Sequence, residues 1–163
     1  MKLYSIWDID NCLADDSARQ SLVDWDEVGD ARYDRYNLQA AHDPLFHRAE
    51  FELMLKLGAT PVFFTGRPEK HRQLTLTWLH RALGLSFPRM YMRPDGTVGL
   101  TPRTLKEQML KEFQAWMAPD ERIVAAFDDL DAVVQMYRSH GIPAAKLIIH
   151  EDVSKVYQPS DLK

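Results

Sequence analysis

The chain has 163 residues, of which 45% are hydrophobic and 27% are charged, the balance of one globular domain that buries a core without disulfides. The net charge of −4 excludes a broadly positive nucleic-acid-binding surface, and no apolar run approaches the roughly 20 residues of a membrane helix. The first apolar run is too short for a signal peptide, and the single Cys12 excludes an internal disulfide framework. We therefore expect a cytoplasmic protein. Asp outnumbers Glu by 16 to 8, which directs attention to caps, turns and metal ligands.

The first predicted elements are a strand, a long polar segment and a helix. Residues 3–7 are apolar and predict a short strand, and the stretch 8–34 that follows is polar and rich in Asp. Asp43 as the N-cap and Pro44 at the first helical position predict a helix start, and Gly58 predicts its end. Helical spacing predicts that the buried face of this helix consists of Leu45, Ala49, Leu53 and Leu57.

The middle of the chain predicts a strand, a helix and a second strand. Residues 61–64 form an apolar strand, and a helix follows from about residue 69 to 83, where Gly84 ends it. The residues expected to be buried in this helix are Leu74, Trp78 and Leu79. Residues 90–92 predict the third strand, which precedes a turn at 93–96.

The last third of the chain continues this alternation. Thr101 and Pro102 predict the start of a helix that ends near Met117. The remaining predicted elements are a strand at 123–127, a helix at 130–139 and a strand at 147–149. The tail from residue 151 is polar, and we expect it to be irregular.

Strands that alternate with helices indicate an α/β fold with a parallel sheet and helices on both faces. We expect one domain over residues 1–163, because no linker, repeat or low-complexity tract interrupts it. The segment at about 13–42 is long for a loop of a compact domain, and we interpret it as a small cap or lid. In such folds the ligand binds outside the carboxyl ends of the strands.

Polar residues follow three of the predicted strands. They are Asp8 and Asp10 after the first strand, Thr65 and Gly66 after the second, and Asp128 and Asp129 after the fourth. Lys106 lies on the helix after the third strand. Since the carboxyl ends of parallel strands share one edge of the sheet, we expect these groups to converge there.

Phosphoryl transfer requires a set of this kind. A carboxylate such as Asp8 can divide the reaction by forming an aspartyl-phosphate, and Mg²⁺ held by Asp8 and Asp129 would screen the two anions from each other. Asp10 is the candidate acid and base. The Thr65 hydroxyl, the amides after it and the Lys106 ammonium can bind phosphate oxygens.

Each of these features alone has an ordinary structural interpretation. The D-x-D pattern occurs three times, at residues 8–10, 24–26 and 129–131, and an acidic pair can simply cap a helix. The hypothesis depends on the features occurring together, in this order and at these strand ends. Cys12, beside the proposed nucleophile, is interpreted as a packing residue, and six His with one Cys do not predict a zinc site.

Two further groups of residues have open interpretations. Aromatic residues of the polar segment, namely Trp25, Tyr33 and Tyr36, either form a small core or stack on a base. Basic residues at 67–72 either attract a nucleic-acid backbone or are ordinary helix-surface charges.

The combined motifs resemble those of the haloacid dehalogenase-like (HAD) phosphatase superfamily over roughly residues 3–150. Those motifs are a strand ending in D-x-D, a strand ending in Ser or Thr, a lone Lys, and an acidic pair after a fourth strand. The resemblance implies a Rossmann-like fold with Asp8 as nucleophile and Asp10 as acid and base. It also implies Mg²⁺ held by Asp8, the backbone carbonyl of Asp10 and Asp129, with Asp128 close by.

A narrower resemblance is to the 3′-phosphatase domain of bacteriophage-type polynucleotide kinase/phosphatases. It includes Arg19 nine residues after Asp10, the Asp-Trp pair at 24–25, the segment 65–69, the Met-Arg pair at 92–93 and the closing segment 127–138. The resemblance implies that Arg19 and Arg67 line a phosphate pocket, and we assign Gly66 and Arg93 to substrate binding as well.

Three departures from that family are visible. Pro102 stands where the family has an acid one turn before the Lys, and Asn11 and Cys12 stand where it has Gly-Thr. We expect Asn11 to be tolerated because it favours turn geometry. The chain also has no phosphate-binding loop of a kinase.

We therefore expect an Mg²⁺-dependent phosphomonoesterase that acts on nucleic-acid 3′-phosphate ends or nucleotides, without a membrane partner. The first alternative is a HAD phosphatase of a small metabolite or a mononucleotide. The second is a HAD-like binding module without catalytic activity.

Overall fold

A computed structural model describes the whole chain, residues 1–163, and contains one five-stranded sheet. Its strands are β1 (Leu3–Trp7), β2 (Ala59–Pro68), β3 (Arg89–Arg93), β4 (Arg122–Asp128) and β5 (Ala144–Lys146). All neighbours pair in parallel, in the order β3-β2-β1-β4-β5. The predicted α/β, Rossmann-like fold class is confirmed. The strand order reverses between β1 and β4, so the crevice for a ligand opens where these two strands end.

The chain has five α-helices, of which the last four cover both faces of this sheet. They are α1 (Asp34–Leu38), α2 (Arg48–Lys56), α3 (Arg72–Leu83), α4 (Pro102–Trp116) and α5 (Asp131–Ser139). Successive side chains of a strand point to opposite faces, so Val62 and Phe64 of β2 pack in the core with α4 and α5, whereas Phe63 packs with α2 and α3. The sheet is therefore packed between two apolar layers, one on each face.

The boundaries of α3 and α4 follow the local signals in the sequence. The Thr101 side chain caps α4 by accepting a hydrogen bond from the Thr104 amide, and Pro102 takes the first helical position. Gly84 ends α3 with a φ of +70°. In α3, Trp78 and Leu79 are buried as predicted, whereas Leu74 is only partly buried.

The predicted start and buried face of α2 are wrong. The helix begins at Arg48 and not beside Asp43, because the Asp43 carboxylate binds Arg19 and does not cap a helix. Leu53 and Leu57, which helical spacing assigns to the core, are 55% and 62% exposed. The core residue of this helix is Phe51, whose ring packs against Trp7 and Phe63.

The position predicted for the fifth strand is also wrong. Residues 147–149 are more apolar than β5, but the chain leaves the sheet after Leu147, whose amide still donates to the Asp128 carbonyl of β4. The Ile149 amide donates to the backbone carbonyl and the side-chain oxygen of Asn11. The sheet pairing therefore stops at Lys146, opposite Asp128.

The polar segment 13–42 contains α1 and three short 3₁₀ turns (Ser17–Leu22, Gly29–Tyr33 and Ala40–His42). Its Val23 and Tyr36 form a small apolar cluster with Val156. Val156 belongs to the C-terminal segment, residues 149–163, which has turns but no helix or strand. The two irregular parts of the chain thus pack on each other. No helix of the chain is long and apolar enough to cross a membrane.

Candidate active site

Three carboxylates and a lysine meet at the ends of β1 and β4, and we call them the carboxylate cluster: Asp8, Asp128, Asp129 and Lys106. The Lys106 ammonium, on the second turn of α4, donates to Asp8 Oδ1 at 2.6 Å and to Asp128 Oδ2 at 2.5 Å. All four side chains are buried. The strand-end convergence expected from the sequence is present for these groups.

The carboxylate cluster has more negative charge than its single lysine balances. Oxygens of Asp8, Asp128 and Asp129 lie within 4.8 Å of one another. Burial raises the pKa of Asp8 to about 7, although Lys106 opposes this. Burial, followed by the charges of Asp8 and Asp128, raises the pKa of Asp129 well above its ordinary value. Both shifts express the cost of holding like charges together away from water.

The donor set fits a divalent cation. Asp129 Oδ1 is buried and has no hydrogen-bond partner, whereas Asp129 Oδ2 accepts from the Asn11 side chain. An unpaired buried carboxylate oxygen beside two more carboxylates is the ligand chemistry that hard cations such as Mg²⁺ prefer.

A second group of charged side chains consists of two carboxylates and two guanidinium groups. We call it the arginine cluster: Asp10, Arg19, Asp43 and Arg67. Arg67 donates from Nη2 to Asp10 Oδ1 at 2.7 Å and from Nε to Asp10 Oδ2 at 3.0 Å. Arg19 donates to both carboxylates, with 2.7 Å from Nη2 to Asp43 Oδ2. Burial favours a higher pKa for Asp10, but the charges of Arg67 and Arg19 outweigh it and hold the pKa below its ordinary value.

The arginine cluster keeps one donor free. Arg67 is almost completely buried, and its Nη1 has no hydrogen-bond partner. Its side chain lines a cavity that it shares with Asp8, Asp10 and Lys106. An unpaired guanidinium nitrogen beside a cavity is a ready donor for an anion such as phosphate.

The other predicted site residues lie around this cavity in three different positions. Gly66 and Arg93 line it, and Arg93 also donates to the carbonyls of Gly66, Thr97 and Leu100. Arg19 lies behind Asp10 and does not contribute to the wall. Thr65 lies within β2 and not after the strand as predicted; it is fully buried, and its hydroxyl accepts from the Arg67 amide.

Two other interpretations of the sequence can be compared with the structure. Lys70 and Arg72 pair with Asp34 and Glu69, so the basic stretch 67–72 is largely neutralised. Cys12 is completely buried, and burial raises the pKa of its thiol, which fits a packing residue.

Three residues of the site are not found by sequence reasoning. Asp43 has the pattern of a helix cap, and nothing in its local sequence indicates its partners Arg19 and Arg67. Tyr157 lines the cavity although it lies in a polar tail without periodicity. Asn11 adopts a left-handed φ of 57°, as its turn preference predicts, but no sequence signal indicates its contact with Asp129.

Comparison with known proteins agrees with this geometry. Residues 3–148 match the family model described as the polynucleotide kinase PNKP phosphatase domain. The chain belongs to this family. It is therefore a HAD phosphatase, as its motifs implied, and the enzyme class expected from the sequence is confirmed.

Solved structures share the fold at low sequence identity. A chain of the Pnkp1/Rnl/Hen1 RNA repair complex is 17% identical, with a TM-score of 0.64 over 92% of this chain and 44% of that one. The class C acid phosphatase from Bacillus anthracis is 14% identical, with a TM-score of 0.59 over 81% of this chain and 53% of that one. A hydrolase from Streptococcus pneumoniae TIGR4 is 13% identical, with a TM-score of 0.54 over 99% of this chain and 100% of that one. The chain thus spans less than half the length of the RNA repair protein. No curated protein matches the sequence.

Proposed function

We propose that this phosphatase is an Mg²⁺-dependent phosphomonoesterase that hydrolyses the 3′-phosphate of nucleic-acid ends or nucleotides through an aspartyl-phosphate at Asp8. The observation that carries the proposal is the shared cavity of the two clusters. Asp8 of the carboxylate cluster and Arg67 of the arginine cluster line the same space. One cluster offers a nucleophile with a cation site, and the other offers donors for phosphoryl oxygens.

In the proposed reaction, a carboxylate oxygen of Asp8 attacks phosphorus while the bond to the leaving oxygen breaks. Asp10 takes a proton from the water that hydrolyses the aspartyl-phosphate, and its lowered pKa leaves it ionised for this step. For its predicted role as the acid that protonates the leaving oxygen, the bound phosphate would first have to draw Arg67 and Arg19 away from Asp10. The Arg67 contacts with Asp10 hold its carboxyl group in place beside the cavity. Lys106 donates to Asp8 and can donate to a phosphoryl oxygen in the same way.

The remaining predicted residues have supporting roles in this proposal. Thr65 and the Gly66 amide bind phosphoryl oxygens at the end of β2, and Arg93 binds the substrate beside them. Arg19 fixes Asp10 and Arg67 from behind, through the contacts it makes with Asp10 and Asp43.

Asp8, Asp129 and the Asp10 carbonyl would hold Mg²⁺, with Asp128 next to them. When bound, the ion supplies positive charge that lets the Asp8 anion approach a phosphate dianion. The unpaired Asp129 Oδ1 and the surplus of carboxylates support this assignment.

Two features bear on the substrate. Membership of the polynucleotide kinase phosphatase family supports a 3′-phosphate of a nucleic acid or nucleotide. A small metabolite or mononucleotide is the second candidate, because Tyr157 of the C-terminal segment and Tyr33 of the polar segment wall the cavity. We also propose that residues 13–42 form a small cap of one domain, 1–163, and that the protein works in the cytoplasm.

The test is a substrate panel with Mg²⁺ or with a chelator: 3′-phosphorylated oligonucleotides, nucleoside monophosphates and sugar phosphates. We expect hydrolysis of the nucleotide substrates that stops when Mg²⁺ is removed. Asp8→Asn should lower kcat by about 10⁴-fold or more, the scale for loss of a nucleophile. Asp26→Asn, in the exposed second D-x-D, is the matched control and should leave kcat unchanged.

Each part of the proposal can fail separately. An active, metal-independent Asp8→Asn protein would contradict the mechanism. Strong preference for a sugar phosphate would contradict the nucleotide assignment. Absence of hydrolysis across the panel with Mg²⁺ would contradict the proposed activity itself.

A further inference from the structure

The C-terminal segment, residues 149–163, lies beyond the family match, which ends at residue 148. It is nevertheless attached to the candidate active site. Val156 is buried in the apolar cluster with Val23 and Tyr36, and its carbonyl accepts a hydrogen bond from the Tyr33 hydroxyl at 3.0 Å. The segment therefore packs against the polar segment 13–42 and forms part of the site.

The start of the segment is fixed to the loop that carries Asp8 and Asp10. The side-chain oxygen of Asn11 accepts hydrogen bonds from the Ile149 and His150 amides at 3.2 and 3.0 Å. The His150 ring lies 2.7 Å from Asp16 Oδ1. Because a glycine at position 11, as in the related family, has no side chain, the Asn11 attachment distinguishes this chain.

This attachment brings the Tyr157 ring into the cavity lined by Asp8 and Lys106. Burial raises the pKa of the Tyr157 phenol well above its ordinary value, and the charges of Asp129 and Asp8 raise it further. The ring is thus a neutral group near the reacting carboxylates. Tyr33 lines the same cavity, so two tyrosines offer the kind of ring on which nucleobases stack. Tyr36 also lines it, but this residue is buried and the Arg19 guanidinium covers its ring.

The same cavity also has acidic residues in its wall, Asp30 and Asp161. The nearby cation, Arg93, interacts with both carboxylates and balances only one of their two negative charges, while its own donors bind three backbone carbonyls. A polynucleotide end carries a further phosphate for each additional nucleotide, and Asp30 and Asp161 repel such a phosphate. A nucleoside monophosphate carries only the phosphate that reacts.

We infer that Tyr157 and Asp161 of the C-terminal segment make this phosphatase selective for a single nucleoside monophosphate over a polynucleotide end. Tyr157 contacts the base, and Asp161 disfavours the next phosphate of a longer chain. The inference rests on the proposed phosphatase activity and narrows its substrate.

The test compares kcat/KM for a nucleoside 3′-monophosphate and for a 3′-phosphorylated oligonucleotide that ends in the same nucleotide, both with Mg²⁺. The full chain should prefer the monophosphate. Tyr157→Ala should lower its kcat/KM for the monophosphate by about tenfold, the order of one lost base–aromatic contact. Asp161→Asn should raise kcat/KM for the oligonucleotide about threefold, the scale of one exposed charge pair. Gln158→Ala, at an exposed neighbour outside the cavity wall, is the control and should change neither value.

Thermal unfolding establishes that each variant is folded. If Tyr157→Ala does not fold, the inference is tested by Asp161→Asn, which preserves the shape of the side chain. Equal or better use of the oligonucleotide by the full chain would overturn the inference. So would folded variants with an unchanged ratio of the two kcat/KM values. Neither result affects the proposed activity, which fails only if no substrate is hydrolysed.

Discussion

The carboxylate cluster contains Asp8 and the arginine cluster contains Asp10, and the two clusters accommodate buried charges in different ways. In the arginine cluster, two guanidinium groups face two carboxylates, and the charges balance within the protein. In the carboxylate cluster, three carboxylates face one ammonium group. Because an unpaired buried charge is costly, the first cluster is complete by itself, whereas the second has surplus negative charge that a bound proton or the proposed Mg²⁺ would balance.

This difference also separates the expected roles of the clusters. The balanced cluster is arranged before any ligand arrives and leaves Arg67 Nη1 free for a phosphoryl oxygen. In the proposed mechanism, the unbalanced cluster would gain the positive charge that it needs for catalysis only when Mg²⁺ binds. Substitutions that remove one charge from each cluster should therefore respond differently to Mg²⁺.

The largest effect on stability is expected from Lys106→Met, which leaves the carboxylate cluster without a positive charge. At pH 8 in a chelator, the free energy of unfolding should fall by about 3–5 kcal/mol, the cost of breaking a buried ion pair. Chemical denaturation measures this loss. Mg²⁺ should restore more stability to the variant than it adds to the parent protein, since the ion supplies the missing charge. An equal Mg²⁺ effect on both proteins would contradict the comparison.

A smaller loss is expected from Asp43→Asn in the arginine cluster. The substitution keeps the shape of the side chain but removes one of two carboxylates that bind Arg19. The free energy of unfolding should fall by about 2 kcal/mol, as for a lost hydrogen bond to a charged group. Denaturation with and without Mg²⁺ is again the measurement, and here the loss should be the same in both. Recovery on adding Mg²⁺ would show that the two clusters are not independent.

The smallest effect is the pH dependence of the Mg²⁺ response. The pKa of Asp8 is raised to about 7 in the folded protein. Without metal, the stability that protonated Asp8 contributes is therefore lost as the pH rises from the ordinary pKa of an Asp side chain through about 7. Mg²⁺ binds the deprotonated group, so the stabilisation by Mg²⁺ should grow with pH, by about 1 kcal/mol per unit below pH 7. The measurement is the difference between the melting temperatures with Mg²⁺ and with chelator, at several pH values between 5.5 and 8. Asp129→Asn should reduce this difference in melting temperature, and a difference that does not change with pH would contradict the cation site.

The sequence predicts the parts of the site that depend on local signals. Apolar runs locate the ends of β1 and β4 to within one residue, whereas β2 continues past its apolar run to Pro68. A parallel sheet brings the ends of its strands to one edge. The carboxylates that follow these strands can therefore be assigned to one site from the amino-acid sequence alone. The start of α4 is equally local, because the Thr101 hydroxyl needs only the Thr104 amide three residues away.

The parts that could not be predicted depend on partners distant in the chain. Asp43 followed by Pro44 has the pattern of a helix start, but the Asp43 carboxylate accepts hydrogen bonds from the buried side chains of Arg19 and Arg67 and does not cap a helix. Residues 147–149 have the pattern of a strand, but Asn11 holds the Ile149 amide away from the sheet. Tyr157 follows no period at all, and only the docking of Val156 places it in the cavity.

The central claim is that Asp8 accepts the phosphoryl group before water does, and an acid-quench experiment tests it most directly. Asp10→Asn removes the base that activates water, while p-nitrophenyl phosphate has a leaving group that needs no proton. We therefore predict that this variant, with Mg²⁺ and p-nitrophenyl phosphate, accumulates one phosphoryl group on the peptide that contains Asp8. Mass spectrometry should find no such label with a chelator or in the Asp8→Asn variant. Continued release of phosphate by Asp10→Asn without a labelled protein, or a label on any other residue, would contradict the account.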